Sequence, residues 1–165
     1  IFEVLSAPVS ALEATIGYVG AAATKSTIIG LMIFLTSNFF VTHDIKHPII
    51  MAIFIALTSI SFSLFGFIIG IWAQNWERLS IIPTLLVTPL VFLGGSFYSI
   101  DMLPQFWQQV SLFNPVFYLI SGFRWSFFGK SEIPIEFSLL AISIFMTLCL
   151  LIIGLIFKTG YRLRT

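Results

Sequence analysis

The chain has 165 residues, of which 58% are hydrophobic, 16% aromatic and only 9% charged, with a mean hydropathy of +1.05. Soluble domains carry about a quarter charged residues, so water is the wrong solvent for this chain. A net charge of +1 offers no strongly basic or acidic face, which argues against nucleic acid and against an acidic partner.

The opening stretch, residues 1–16, reads as a helical elbow. Leu5, Val9, Leu12, Ile16 and Val19 recur every three or four residues, with Glu3, Ser6, Ser10 and Glu13 off that stripe. Pro8 interrupts it, and Ser10 with Glu13 three residues on makes a capping-box pattern, so a turn at Ser6 to Pro8 leads into a second helix. The chain opens on Ile1 without a signal-type segment and is read as beginning inside a longer protein.

Four uncharged stretches are long enough to cross a hydrocarbon core about 30 Å thick, which takes about 20 helical residues. The spans are placed at residues 17–41, 48–72, 80–100 and 137–157, and the expected fold is an all-α membrane protein. Helices are the only assignment that satisfies the backbone in lipid, since these runs lack the alternation of a barrel strand. In the first span Lys25 is expected close to one end, where it can snorkel, so that no ionisable residue stands mid-span. That pattern argues against a proton-coupled transporter. Alternating sides from an inside N-terminus puts Lys25, Arg78, Lys158, Arg162 and Arg164 on the cytoplasmic side and Lys46, Arg124 and Lys130 outside, in keeping with the positive-inside bias.

Within the spans, Gly66 and Gly70 form a GXXXG that suits close helix packing. Pro83 and Pro89 break the backbone ladder of the third span, either as a static kink or as a bend used in gating. His43 and His47 lie four apart around Asp44, but Pro48 follows at once and no HEXXH is present, so a polar loop is the better reading than a metal site. Cys149, the lone cysteine, lies in an apolar run and reads as a small apolar residue. No GXSXG, Walker loop, CXXC or intramembrane carboxylate pair occurs, so neither enzymatic activity, nor a metal, nor a cofactor is expected.

The link between the third and fourth spans, residues 101–134, is too long for a tight hairpin and too apolar for a solvated loop. Leu103, Phe106, Trp107, Val110 and Phe113 follow helical spacing. Asn114 then supplies a cap with Pro115 at the first helical position. Two short helices in a re-entrant or interfacial hairpin on the outer side result. Among its aromatics Arg124 has three candidate partners: a carboxylate such as Asp101 or Glu132, an aromatic face, or an anionic headgroup or substrate.

The run LVTPLVFLGGSFYSIDMLPQFWQQVSLFNPVFYLISGFRWSFFG resembles the signature region of the type 2 ABC transporter permeases. Gly94, Gly95, Phe97, Leu103, Pro104, Asn114, Pro115, Tyr118 and Arg124 carry the likeness, which is nearest to bacterial permeases of the nodulation-factor and polysaccharide exporter type. The opening FEVLSAPVSALEATIGYVG resembles the segment that follows the family's cytoplasmic coupling helix. The resemblance implies spans three to six of a six-span, multi-pass permease of the bacterial cytoplasmic (inner) membrane. It implies contact with a separate ABC ATP-binding subunit through Phe2, Glu3, Leu5 and Pro8, and pairing with a second permease subunit. It also implies an outer gate built on Leu103, Pro104, Trp107, Asn114, Pro115, Tyr118 and Arg124, with membrane lipid around the whole and an amphipathic drug, lipid or lipid-linked glycan as cargo. A membrane-embedded lipid enzyme using His43, His47 or Asp101, and a passive assembly subunit, are the alternatives.

Overall fold

The computed structural model describes residues 11–41, 45–73 and 75–159. The elbow residues Phe2, Glu3, Leu5 and Pro8, the Ser10 cap, His43 and Asp44 lie outside the described residues. Every regular element among the described residues is helical.

α1 runs Ala11–Ser37, α2 Pro48–Trp72 and α7 Ile135–Thr159, and these three are long and apolar enough to cross a membrane. α1 stops at Ser37, four residues before the expected end. The Ser37 hydroxyl and the Asn38 amide both donate to the carbonyl of Phe34, at 2.7 and 2.8 Å, in place of the next backbone N–H. At its other end α1 begins six residues before Gly17, so Lys25 is the fifteenth of its 27 residues. This corrects the expected placement near an end, and with it the expectation that no ionisable residue stands mid-span. The apolar run alone marked Gly17 as a starting point, but the amphipathic turns before it continue the same helix.

The third apolar stretch is the least regular. α3 covers Trp76–Ile82, a π-helical turn covers Pro83–Val87, and α4 covers Thr88–Leu93. Pro89 has no N–H to give to the carbonyl four residues back, and the turn before it widens to i→i+5 bonding. The helix ends at Leu93 rather than Ile100. The Gly94 N–H turns back to the Val91 carbonyl at 3.3 Å, and Gly95 adopts φ +79°, a conformation that side chains other than glycine rarely take. Its apolar part, Leu79–Leu93, is shorter than the other three spans-by-length. A 3₁₀ turn at Ile100–Met102 leads to α5 (Gln105–Leu112) and α6 (Pro115–Phe128).

α1 packs on α2, α2 also packs on α6 and α7, and α6 packs on α7 and α4. Two buried clusters hold this bundle. Val19, Leu64, Cys149 and Ile153 join α1, α2 and α7 towards the Trp72 end, while Phe54, Leu119 and Ile142 join α2, α6 and α7 towards the Pro48 end. Serines fill much of the helix contact surface: Ser59, Ser61 and Ser63 on α2, Ser121 and Ser126 on α6, and Ser138 on α7 are all buried. Small side chains let helix axes approach, which is the main source of packing energy where lipid removes the hydrophobic driving force. At Gly122 this reaches its limit, because a Cβ there would stand 2.0 Å from Cε1 of Phe54. By contrast a Cβ at Gly66 or Gly70 would meet nothing within 4 Å, so that pair faces open space within this chain.

Candidate functional site

The residues singled out between the third and fourth spans converge on one end of the bundle. α6 rises beside the first half of α2: Ile50 and Tyr118 flank the same buried cluster, Gly122 seats the Phe54 ring, and His47 stacks on Trp125 with ring centroids 4.3 Å apart. Backbone bonds from Lys46 N to Phe127 O (3.4 Å) and His47 N to Ser126 O (3.0 Å) fasten its last turn to the start of α2. The Lys46 side chain lies across Gly129, at the negative end of the α6 dipole, where a cation is favoured.

Asn114 ties the other end of α6 to α4. Its Oδ1 accepts from the Val116 N–H at 3.0 Å, which caps α6, and Pro115 needs no partner at the first helical position. Its Nδ2 donates at 2.6 Å to the carbonyl of Leu90, one of the four that the end of α4 leaves without an intrahelical donor. Gly94 makes the approach possible: a Cβ there would stand 2.9 Å from Val116 Cγ1 and 3.0 Å from Ile120 Cδ1. One side chain therefore satisfies two helix ends and fixes their separation. Asn114→Ser keeps a capping oxygen and loses the bond to Leu90, whereas Asn114→Ala loses both. Thermal melts of the detergent-solubilised protein are expected to rank native, then Ser, then Ala, with a loss of about 1 kcal/mol at the first step and a similar further loss at the second.

Arg124 stands one turn beyond Ile120 on the same face of α6. Its Nη2 donates to the Gly95 carbonyl at 2.7 Å and its Nη1 pairs with Glu132 Oε1 at 3.1 Å. Ser99 donates to the same carboxylate oxygen at 2.6 Å. Of the partners open to Arg124 in the sequence, the structure selects Glu132, and Asp101 is left exposed. The result is a polar clasp that joins the loop after α4, the later part of α6 and the segment before α7. The side chains of Arg124 and Glu132 are 30% and 19% exposed, so the pair is partly shielded from solvent.

The other expected gate residues are arranged around the clasp without joining it. Pro104 occupies the cap position of α5, and the Leu103 carbonyl accepts from Gln108 Nε2 at 2.8 Å. Trp107 is exposed and edge-on to Phe106. The Tyr118 hydroxyl donates to the Leu112 carbonyl at 2.8 Å, closing the corner between α5 and α6. Ser99, Gly122 and Phe54 belong to the site and were not singled out from the sequence. A glycine inside an amphipathic helix, which costs roughly 1 kcal/mol against alanine, was the one signal for Gly122.

Below the clasp, a cavity of about 540 Å³ opens between α1 (Ser26, Gly30), α2 (Thr58, Ser59), α4 (Val91) and α6 (Ile120). The hydroxyls of Ser26, Thr58 and Ser96 on its walls are bonded to carbonyls of their own segments, so the wall is apolar in effect.

Residues 1–128 match the ABC-2 type transporter family. The inner membrane transport permease YadH of Escherichia coli K12 is 36% identical over 163 residues, covering 99% of this chain and 64% of that protein. Nodulation protein J of Rhizobium leguminosarum bv. viciae is 28% identical over 119 residues, covering 72% of this chain and 46% of that protein. Nodulation protein J of Neorhizobium galegae is 23% identical over 136 residues, or 82% and 52%. The chain thus spans less than two thirds of the length of these relatives. No solved structure matches it.

Proposed function

The chain belongs to the ABC-2 type transporter family and to the multi-pass proteins of the bacterial inner membrane, and from that premise we propose that it is the permease subunit of an ATP-driven exporter. A separate ATP-binding subunit would supply the energy and a second permease subunit would complete the path. The cargo would be an amphipathic drug, lipid or lipid-linked glycan.

The observation that carries the reading is the clasp. A moving gate needs few contacts, strong enough to hold one state and local enough to be released together. Asn114 and Arg124 supply such contacts between α4, which the π turn and two prolines make bendable, and α6, which is anchored to α2. With the N-terminus inside, the clasp lies at the outer surface and α1 leads from the cytoplasmic elbow into the bundle. Closure of the ATPase pair would push on Phe2, Glu3, Leu5 and Pro8, tilt α1 against α2, and release the seam that ends under α5 and α6.

The test is co-purification of the whole protein with the ATP-binding subunit encoded beside it. Native protein is expected to retain that subunit and stimulate its ATPase, and Glu3→Arg is expected to lose most of both. An intact, monodisperse native protein that binds no ATPase would end the permease reading.

A further inference from the structure

We propose that Lys25 stands in the translocation path at mid-membrane and binds the anionic headgroup of the transported amphiphile. This deepens the permease reading and rests on it. The first support is depth. Lys25 is the fifteenth of the 27 residues of α1. Its neighbour Ser26 shares a cavity wall with Thr58 and Ser59, and Ser59 is the twelfth of the 25 residues of α2. Tyr18 stacks on Phe67 below that level, and Phe34 meets Phe127 above it. The lysine is thus at the middle of two antiparallel helices that are each long enough to span. A lysine side chain reaches roughly 6 Å, against roughly 15 Å from the centre of the hydrocarbon to either surface, so it cannot snorkel out.

The second support is the face it occupies. Half-buried Ala23, Thr27, Gly30 and Phe34 mark the side of α1 turned to α2. Lys25 falls midway in sequence between the first two and so lies on the opposite side, exposed with Ile28, Ile29 and Met32. The adjoining turns are narrow: Gly17, Gly20, Ala21 and Ala22 leave space beside the helix, and a Cβ at either glycine would meet nothing within 4 Å. A mid-membrane cation on such a face is tolerated where it meets water, a counter-charge or a ligand, and not where it meets lipid.

The third support is that the described residues place no counter-charge at this depth. Lys25 makes no ion pair among the described residues. The described acidic residues, at positions 13, 77, 101, 132 and 136, all stand at or beyond helix ends. A second copy of the chain would bring a second lysine to this depth and no carboxylate. Of the partners such a cation can meet, the cargo is the one that the apolar cavity beside it supports. Charge complementarity makes its head anionic, and the apolar cavity beginning at Ser26 suits its tail.

The experiment uses the whole permease with its ATP-binding subunit in phosphatidylcholine vesicles, which carry no net anionic charge. Dodecyl phosphate and dodecanol, matched in chain length, are titrated below micelle formation while ATPase is followed. Dodecyl phosphate is expected to stimulate the native complex, with its half-maximal concentration raised at least tenfold in Lys25→Met and less than threefold in Lys25→Arg. Dodecanol should act alike on all three. Lys25→Met is expected to melt no lower than native, because it removes a charge from an apolar setting. Four results would overturn the proposal: no response of the native complex to dodecyl phosphate, an equal response in Lys25→Met, a melt of Lys25→Met at least 5 °C below native, or zero-length carbodiimide cross-linking of Lys25 to a carboxylate elsewhere in the protein. An assembled, ATP-hydrolysing complex indifferent to residue 25 sinks this proposal alone, whereas absence of any bound ATPase sinks the permease reading and this proposal with it.

Discussion

Gly122→Ala is expected to cost the protein more stability than any other single methyl group added to it, and Phe54→Leu is expected to recover most of the loss. The added carbon would stand 2.0 and 2.1 Å from two atoms of the Phe54 ring, well inside any real contact distance. The ring has nowhere to go, being wholly buried against Leu119 and Ile142. Nor can α6 retreat, because Lys46 and His47 bind its last turn and Asn114 binds its first to α4. Overpacking in a closed core costs about 1–3 kcal/mol, and the enclosure here puts Gly122→Ala at the upper end. Phe54→Leu alone leaves a void and also destabilises, by about 1–2 kcal/mol. The double variant is therefore expected to be more stable than Gly122→Ala, a coupling whose sign is opposite to that of two independent losses. Melting temperatures of the four proteins in one detergent decide it. Equal stability of native and Gly122→Ala would show that the ring does not sit on the glycine.

How much of this was legible beforehand differs from residue to residue, and the differences are physical. Asn114 and Pro115 could be read because capping is local: the side chain and the N–H that it satisfies are two residues apart. The second bond of Asn114, to Leu90, is 24 residues distant and depends on where α4 stops, which a proline count could not supply. Arg124 was recognisable as a charge that needed a partner, but choosing Glu132 over Asp101 requires knowing which side of the loop faces α6. Pro83 and Pro89 marked the third span as irregular without saying that the turn between them would widen. Lys25 was misplaced because hydropathy locates apolar runs, not helix ends, and α1 continues through a less apolar stretch before the run begins.

On the proposed reading, in which the clasp closes the outer gate, Arg124→Lys is expected to weaken closure nearly as much as Arg124→Gln, although it keeps the charge. The guanidinium serves two acceptors at once, the Gly95 carbonyl and Glu132, through nitrogens held in a planar fork. An ammonium on a shorter reach satisfies one of them and leaves the other short of a donor. Exposed ion pairs contribute about 0–1 kcal/mol and breaking buried ones costs 3–5 kcal/mol, so this partly shielded pair is placed at about 1–2 kcal/mol. Glu132→Gln is milder, since the amide oxygen still accepts from Arg124 and from Ser99. The exchange of Arg124→Glu with Glu132→Arg does not restore function, because it sets a carboxylate against the Gly95 carbonyl. A cysteine at Ser59, buried on the cavity wall, reports the state of the proposed gate in a Cys149→Ser background. With ATP absent, labelling by a membrane-impermeant thiol reagent from outside is expected to be roughly tenfold faster with Arg124→Gln, Arg124→Lys or the exchanged pair, a ratio that corresponds to about 1.4 kcal/mol of lost closure. Glu132→Gln should raise it two- to threefold. A rate unchanged by Arg124→Gln, in protein that still melts cooperatively, would mean that the clasp holds the fold and does not close the path.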